Sequence, residues 1–310
     1  MHQPSPDRMR QEKAREYARK MRLLSFEELA LGAIFLAVFA LSGLSVWLRD
    51  LLKFPQPLAV ALYFALMMAA YGIITSPLSY YQGFLMPHRY GLSRERLGDW
   101  LRDRAKGGLL GLALGAGAVV VIYQLLSRFP DLWWMAAAAF LSLLSAGLTL
   151  LAPILILPLF FELRPLEDTD LRQKLVKLAE QVRFKASGVY TMNLSRKGTT
   201  ANAMLLGLGS TRRIVLSDTL LQDYSPEEVE TIMAHELGHH RLGHILRLLS
   251  IQSVLALASL GLAHLALRAT AATLGLQGMS DVATLPLLAL AIAASVLILA
   301  PALSAYSRHL

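Results

Sequence analysis

The chain has 310 residues, 55% of them hydrophobic, no cysteine, and 30 lysines and arginines against 22 aspartates and glutamates. A mean hydropathy of +0.47 excludes an ordinary soluble domain. The missing thiols exclude disulfides and thiolate metal sites, leaving His, Asp and Glu to hold any transition metal. The basic excess does not point to nucleic acid, because of where the charges fall. All but Arg49, Lys53, Arg128 and Arg268 lie in the N-terminal tail, in Gln82–Gly107, in Glu162–Arg247 or among the last residues. That alternation is the positive-inside pattern of an even number of spans with a cytoplasmic N-terminus.

In chain order, residues 1–27 form a basic cytoplasmic tail, whose stretch Arg8–Arg22 reads as a charged helix at the membrane surface that attracts acidic lipid. No small-residue cleavage site follows, so the first apolar block is a retained span and not a removed signal. Residues 28–163 then carry four apolar blocks of the roughly 20 residues that a membrane helix needs: near Leu29–Leu48, Leu58–Tyr80, Gly108–Leu126 and Leu132–Phe160. Residues 164–245 form a cytosolic segment. Within it Leu166–Arg183 has the spacing of an amphipathic helix and Val189–Asn193 suits a strand. Ala203–Leu208 and Arg213–Leu216 flank Gly209-Ser210-Thr211 as a β-hairpin. Ser225-Pro226-Glu227-Glu228 is a helix start, with Ser225 as cap, Pro226 in the first turn and Glu228 closing a capping box. Residues 246–310 hold two more blocks, near Leu246–Leu267 and Leu285–Ala305. The expected fold is a mainly α polytopic membrane protein of about six spans with a small cytosolic α+β segment that contains a β-hairpin and the helix launched at Ser225.

The helix launched at Ser225 carries His235-Glu236-Leu237-Gly238-His239. Two histidines four residues apart stack on one helix face, where neutral imidazoles can bind one zinc ion, and the intervening glutamate lies close to a water on that metal. His235 and His239 are candidate metal ligands and Glu236 the candidate general base. Histidine is scarce, with 8 in the chain, which makes a chance match rare. His240, about 100° round the helix from His239, and His244 are assigned structural or solvated roles. His264 lies inside the fifth span, where an ionisable side chain is a functional candidate unless it bonds a backbone carbonyl. Asn202-Ala203-Met204, at the start of the hairpin, is the candidate substrate-binding strand, because a protease can hold an extended peptide by adding it to a sheet edge.

Several of these stretches together resemble the type 1 CAAX prenyl proteases, integral-membrane zinc metalloproteases that cleave isoprenylated peptides. The similarity covers most of the chain. Tyr90-Gly91-Leu92-Ser93 with Trp100, Asp103 and Lys106 looks like that family's basic loop between early spans. Leu157-Pro158-Leu159-Phe160 and Arg164-Pro165-Leu166-Glu167 look like its exit from the membrane. Asn202-Ala203, Gly207 and Arg213 to Leu220 look like its hairpin, and the histidine motif with Gly243-His244 looks like its metal helix. The resemblance implies one zinc ion per chain on His235 and His239, Glu236 as base, and a substrate strand at Asn202-Ala203. It also implies a third ligand, a glutamate in the pattern Ser-Arg-x-x-Glu. Ser307-Arg308-His309-Leu310 matches its first four positions and ends the sequence, so this chain is expected to be truncated before that ligand and impaired.

The leading functional reading is a multi-pass zinc metalloendopeptidase of a bacterial inner membrane or the endoplasmic reticulum. It would cleave membrane-associated, lipidated or misfolded membrane peptides, with the bilayer and a peptide or protein as its partners and no nucleic acid. An HtpX-like heat-shock protease is the near alternative, with fewer spans expected before its metal helix. A non-catalytic pseudo-protease or chaperone is the alternative of a different class.

Overall fold

A computed structural model describes the backbone of residues 6–207, 212–241, 244–270 and 276–307, and the side chains within 11–207, 212–238, 246–270 and 276–299. The chain is mostly helical, and among the described residues six helices are long and apolar enough to cross a membrane: Gln11–Leu41, Gln56–Arg89, Leu97–Arg128, Trp133–Leu155, Leu246–Thr270 and Val282–Leu299. It is a multi-pass membrane protein.

Helix α1 runs unbroken from Pro6 to Leu41, 36 residues or about 54 Å, so the basic tail and the first span are one helix. The span does not continue to Leu48 as its apolar content suggests. Gly43, at a φ of 84° that favours glycine, turns the chain, and Leu44–Leu51 forms a separate helix α2. Helix α3 (Gln56–Tyr80) passes through a π turn at Tyr81–Leu85 into the short α4 (Met86–Arg89). Helix α5 covers Leu97–Arg128 and α6 covers Trp133–Leu155. The fourth apolar block was expected to reach Phe160 as one helix. Pro153 and Pro158 instead break it into α6 and α7 (Leu157–Phe160), because proline removes an N–H donor and clashes with the preceding turn.

After α7 come β1 (Leu163–Pro165), α8 (Thr169–Gln181), β2 (Val189–Met192), β3 (Ala203–Leu206), β4 (Arg213–Ser217), α9 (Asp218–Asp223) and α10 (Pro226–Arg241). Helix α11 (His244–Thr270), a 3-10 turn at Val282–Thr284 and α12 (Leu285–Ser307) complete the order. The expected hairpin strands are present as β3 and β4, while Gly209-Ser210-Thr211 and Gly243 lie outside the described residues.

Two compact units result. The first comprises Met1–Met86, Arg104–Ser142 and Gln252–Leu310, and the second Pro87–Asp103 and Leu143–Ile251. In the first, Tyr63, Tyr123 and Trp133 are fully enclosed among Val60, Leu126, Leu260, Leu267 and Leu288, and Ala137, Ala138 and Ala263 allow close helix approach. Polar ties cross this apolar interior. Ser45 Oγ pairs with Tyr63 Oη at 2.6 Å and donates to the Ala283 carbonyl at 2.6 Å, and Tyr123 Oη pairs with Thr284 Oγ1 at 2.8 Å. Asp281 is buried and holds Arg49 Nη1 at 2.5 Å, while it also accepts the N–H groups of Gln277 (2.9 Å) and Ala283 (3.0 Å). His264 accepts the indole N–H of Trp133 on Nδ1 at 3.0 Å, so its proton sits on Nε2 and its partner at Nδ1 is a side chain.

The second unit is built on a four-stranded sheet of order β1-β2-β4-β3. Strands β1 and β2 pair antiparallel, β2 and β4 parallel, and β4 and β3 antiparallel. Leu171, Leu175 and Ala179 of α8 and Val229, Met233 and Leu237 of α10 pack on one face with Val189, Ala203, Ile214 and Leu216. Helix α8 starts at Asp168, whose carboxylate accepts the N–H groups of Asp170 and Leu171, both at 3.0 Å.

Candidate active site

The helix that carries the histidine motif is fixed at its start and along one face. The Ser225 N–H donates to Glu228 Oε2 at 2.8 Å and the Glu228 N–H donates to Ser225 Oγ at 3.3 Å, the reciprocal capping box that the sequence implies. Val229, Met233 and Leu237, four residues apart, bury one stripe of α10 against the sheet. His235 lies 200° round the helix from both Met233 and Leu237, on the exposed side, and Glu236 is half-buried beside it. His239 belongs to the same helix, one turn further on, and its side chain, like those of His240 and His244, lies outside the described side chains. Gly238 has open space where a Cβ would sit, so close approach of another segment is not seen there among the described residues.

Strand β3 packs against this helix through Ala203 and forms one edge of the sheet. Its register decides which main-chain groups are free for a ligand. Ser217 donates its N–H to the Asn202 carbonyl at 2.8 Å and accepts the Asn202 N–H on Oγ at 2.8 Å. Such doubly bonded positions alternate with open ones in an antiparallel pair. Asn202, Met204 and Leu206 therefore turn their main chain to β4, and Ala203 and Leu205 turn theirs to the outer edge, where no described strand pairs. The opposite side of β4 agrees, because the Ile214 N–H points to β2, onto the Gly188 carbonyl at 3.1 Å. Of the three residues singled out from the sequence, only Ala203 offers main-chain groups at the edge.

Ser217 was not singled out from the sequence, although it stands in the stretch Arg213 to Leu220. Its fully buried Oγ also accepts the Leu220 N–H at 3.2 Å, which caps α9. Thr219 Oγ1 has one proton, which it donates to the Thr200 carbonyl at 2.8 Å, so across the 2.9 Å contact Ser217 must be the donor. One hydroxyl thus ties the start of β3 to the end of β4 and the start of α9.

The turn before β3 is held from a second direction. Lys197 forms an ion pair with Asp103, and its ammonium lies 4.3 Å from the centre of the Phe161 ring. Arg196 reaches Asp99 at 3.2 Å. In the loop between α4 and α5, burial pushes the Glu95 carboxyl above its ordinary value. Lys197 and His88 oppose that shift, and Asp103 and Asp99 add to it. A raised carboxyl means that the fold disfavours the charged form. The penalty is fully present above the folded pKa and absent below the unfolded value of about 4.3. Glu95→Gln is therefore expected to raise Tm at pH 7 to 8, with the gain vanishing below about pH 4. Thermal unfolding of both proteins across that range is the check.

These elements agree with known proteins. Residues 4–162 match the family model described as CAAX prenyl protease N-terminal, five membrane helices, and residues 165–310 match peptidase family M48. Four of the six candidate spans lie within the first match. The chain is 28% identical over 304 residues to the uncharacterized metalloprotease YhfN of Bacillus subtilis, covering 96% of this chain and 71% of that one. It is 34% identical over 169 residues to the CAAX prenyl protease 1 homolog of Arabidopsis thaliana, covering 54% of this chain and 40% of the relative. With CAAX prenyl protease 1 of Saccharomyces cerevisiae the identity is 31% over 179 residues, covering 57% and 39%. The chain thus spans well under half the length of these last two relatives. Its fold matches the crystal structure of S. mikatae Ste24p with a TM-score of 0.65 at 24% identity, over 82% of this chain and 63% of that one. With one family model covering half of the sequence and a second covering most of the remainder, the chain belongs to peptidase family M48 and carries the membrane region of the CAAX prenyl proteases.

Proposed function

We propose that the protein is a zinc metalloendopeptidase that cleaves extended peptides at a membrane surface, with its N-terminus and second unit on the cytoplasmic side. The observation that carries this reading is an open sheet edge packed directly on the helix that bears His235, Glu236 and His239. The orientation rests on the distribution of lysine and arginine.

The residues present suit zinc. Imidazole nitrogens are ordinary zinc donors, and His235 stands on the exposed side of its helix with a carboxylate next to it. His235 and His239 would hold the ion. Among the described residues no group of three His, Asp or Glu side chains stands together, and the resemblance implies a glutamate as the remaining ligand. A bound zinc ion supplies Lewis acidity. The protein's own residues do the rest. Ala203 and Leu205 pair with the substrate main chain and hold it extended. Glu236 accepts a proton from the attacking water and returns it to the leaving amine. The relatives named as CAAX prenyl proteases support a membrane-associated, lipidated peptide as one substrate class, and misfolded membrane segments present the same extended main chain.

The test uses the full-length protein in nanodiscs with zinc and a fluorogenic membrane peptide. Cleavage is expected to stop on chelation and to return with zinc. N-methylation of the substrate amides that face β3 should slow cleavage about tenfold, and methylation of the intervening amides should not. Absence of cleavage by the zinc-loaded protein, or cleavage indifferent to chelation, would refute the proposal.

A further inference from the structure

The edge strand has only four residues, and its position depends on the turn that launches it. Residues 194–202 are fixed by two sets of bonds from the sheet and its following helix. The Ser195 N–H donates to Asp218 Oδ1 at 2.8 Å and its hydroxyl donates to Oδ2, and Ser217 and Thr219 hold Asn202 and Thr200 as described.

A third set comes from outside the sheet, from the loop that precedes α5. Ser93 Oγ and the Arg94 N–H both donate to the Lys197 carbonyl, at 3.1 and 3.2 Å, and the Thr199 N–H donates to the Leu92 carbonyl at 3.2 Å. Ser93 and Gly198 form an antiparallel bridge. A Cβ at Gly198 would lie 3.1 Å from the Leu92 oxygen, a tight contact that glycine avoids. The Lys197 side chain completes the contact. It is mostly enclosed, pairs with Asp103, and stands over Phe161 at 4.3 Å and Phe160 at 5.7 Å. Asp103 lies in the first turns of α5, and the two phenylalanines follow the fourth span. One ammonium group therefore joins the turn before β3 to two elements that lead out of membrane helices.

We propose that Lys197, through Asp103 and Phe161, is a positioning residue for substrate: it sets the turn from which the edge strand starts, so that affinity for an extended peptide depends on a contact away from the metal helix. This rests on the edge-strand reading above. The ion pair is partly withdrawn from water and the ring adds attraction to the same cation. Losing both loosens the turn, whose main-chain bonds remain, without touching His235, Glu236 or any bond within the sheet. Methionine at this position keeps the alkyl stem and removes the charge. Arginine keeps the charge and stacks on aromatic rings.

The experiment measures binding of the fluorogenic peptide by anisotropy in a Glu236→Gln background, together with kcat and KM in the otherwise native full-length protein. Lys197→Met is expected to weaken binding and raise KM about tenfold with kcat changed by less than about twofold. Lys197→Arg should restore affinity, and Asp103→Asn should reproduce the loss even where Lys197→Met does not fold. Unchanged binding in Lys197→Met, or in Asp103→Asn where the former does not fold, overturns the proposal. So does a fall in kcat at constant KM, or a loss of Tm and zinc content that Lys197→Arg does not rescue. Because binding is read without chemistry, failure here is separable from failure of the protease reading, which shows as absent cleavage by the native protein.

Discussion

Replacing Glu236 by glutamine is expected to lower kcat for peptide cleavage by about 10²- to 10⁴-fold, the range for loss of a positioned general base. Glutamine keeps the size and hydrogen-bonding reach of the side chain and loses the ability to take a proton. Nothing in the packing of the described residues opposes the change. Glu236 is half-buried, while the neighbours that seat α10 are Val229, Met233 and Leu237. Tm and zinc content should therefore stay at the native values, since the candidate ligands His235 and His239 are untouched. Stopped assays with the purified variant, alongside metal analysis, separate a lost base from a lost fold. A variant that retains cleavage within tenfold of native would remove Glu236 from the mechanism.

The largest expected effect on stability lies far along the chain, at Asp281. Its side chain is 1% exposed and serves three donors at once, the guanidinium of Arg49 at 2.5 Å and the N–H groups of Gln277 and Ala283. Asp281→Ala removes the acceptor for all three and leaves Arg49, only 16% exposed, with the peripheral Asp50 as its remaining partner. Breaking one side of a buried pair costs about 3 to 5 kcal/mol, because the desolvated charge stays behind. The two backbone N–H groups bond different carboxylate oxygens, so Asp281→Asn retains an acceptor for one of them and should cost less than alanine. Thermal unfolding in detergent is the measurement. A loss under about 1 kcal/mol for the alanine variant would mean that water reaches Arg49 once its partner is gone.

The apolar blocks, the capped helix and the two hairpin strands were legible because each is written in local residues. A run of about 20 apolar side chains, a Ser-x-x-Glu, or an alternating strand needs no distant partner to be recognised. What escaped depends on partners far away in sequence. Strand β1 is three residues ending in Pro165, and it exists because Leu163, Arg164 and Pro165 pair with Met192, Thr191 and Tyr190. The parallel pairing of β2 and β4 carries no local signal either, since β3 intervenes in the chain. Even the break after Leu41 turned on one glycine inside an apolar run.

The candidate site shows the same division. His235, Glu236 and His239 announced themselves by spacing. Asn202, Ala203 and Met204 were singled out as a group, but only register against β4 separates Ala203 from its two neighbours. Ser217 and Lys197 carry no motif of their own. Their importance appears once Asn202 and Asp103 are beside them.

If substrate pairs with the edge at Ala203 and Leu205 as proposed, that edge has a consequence for what can be attacked at all. Its bonds are made main chain to main chain, and they take no account of which side chains pass by. A target already folded into a helix or a sheet has spent those same groups on itself and has none to offer. An edge of this kind discriminates by conformation before composition: it reads whether a segment has lost its structure, and only then what the segment is made of.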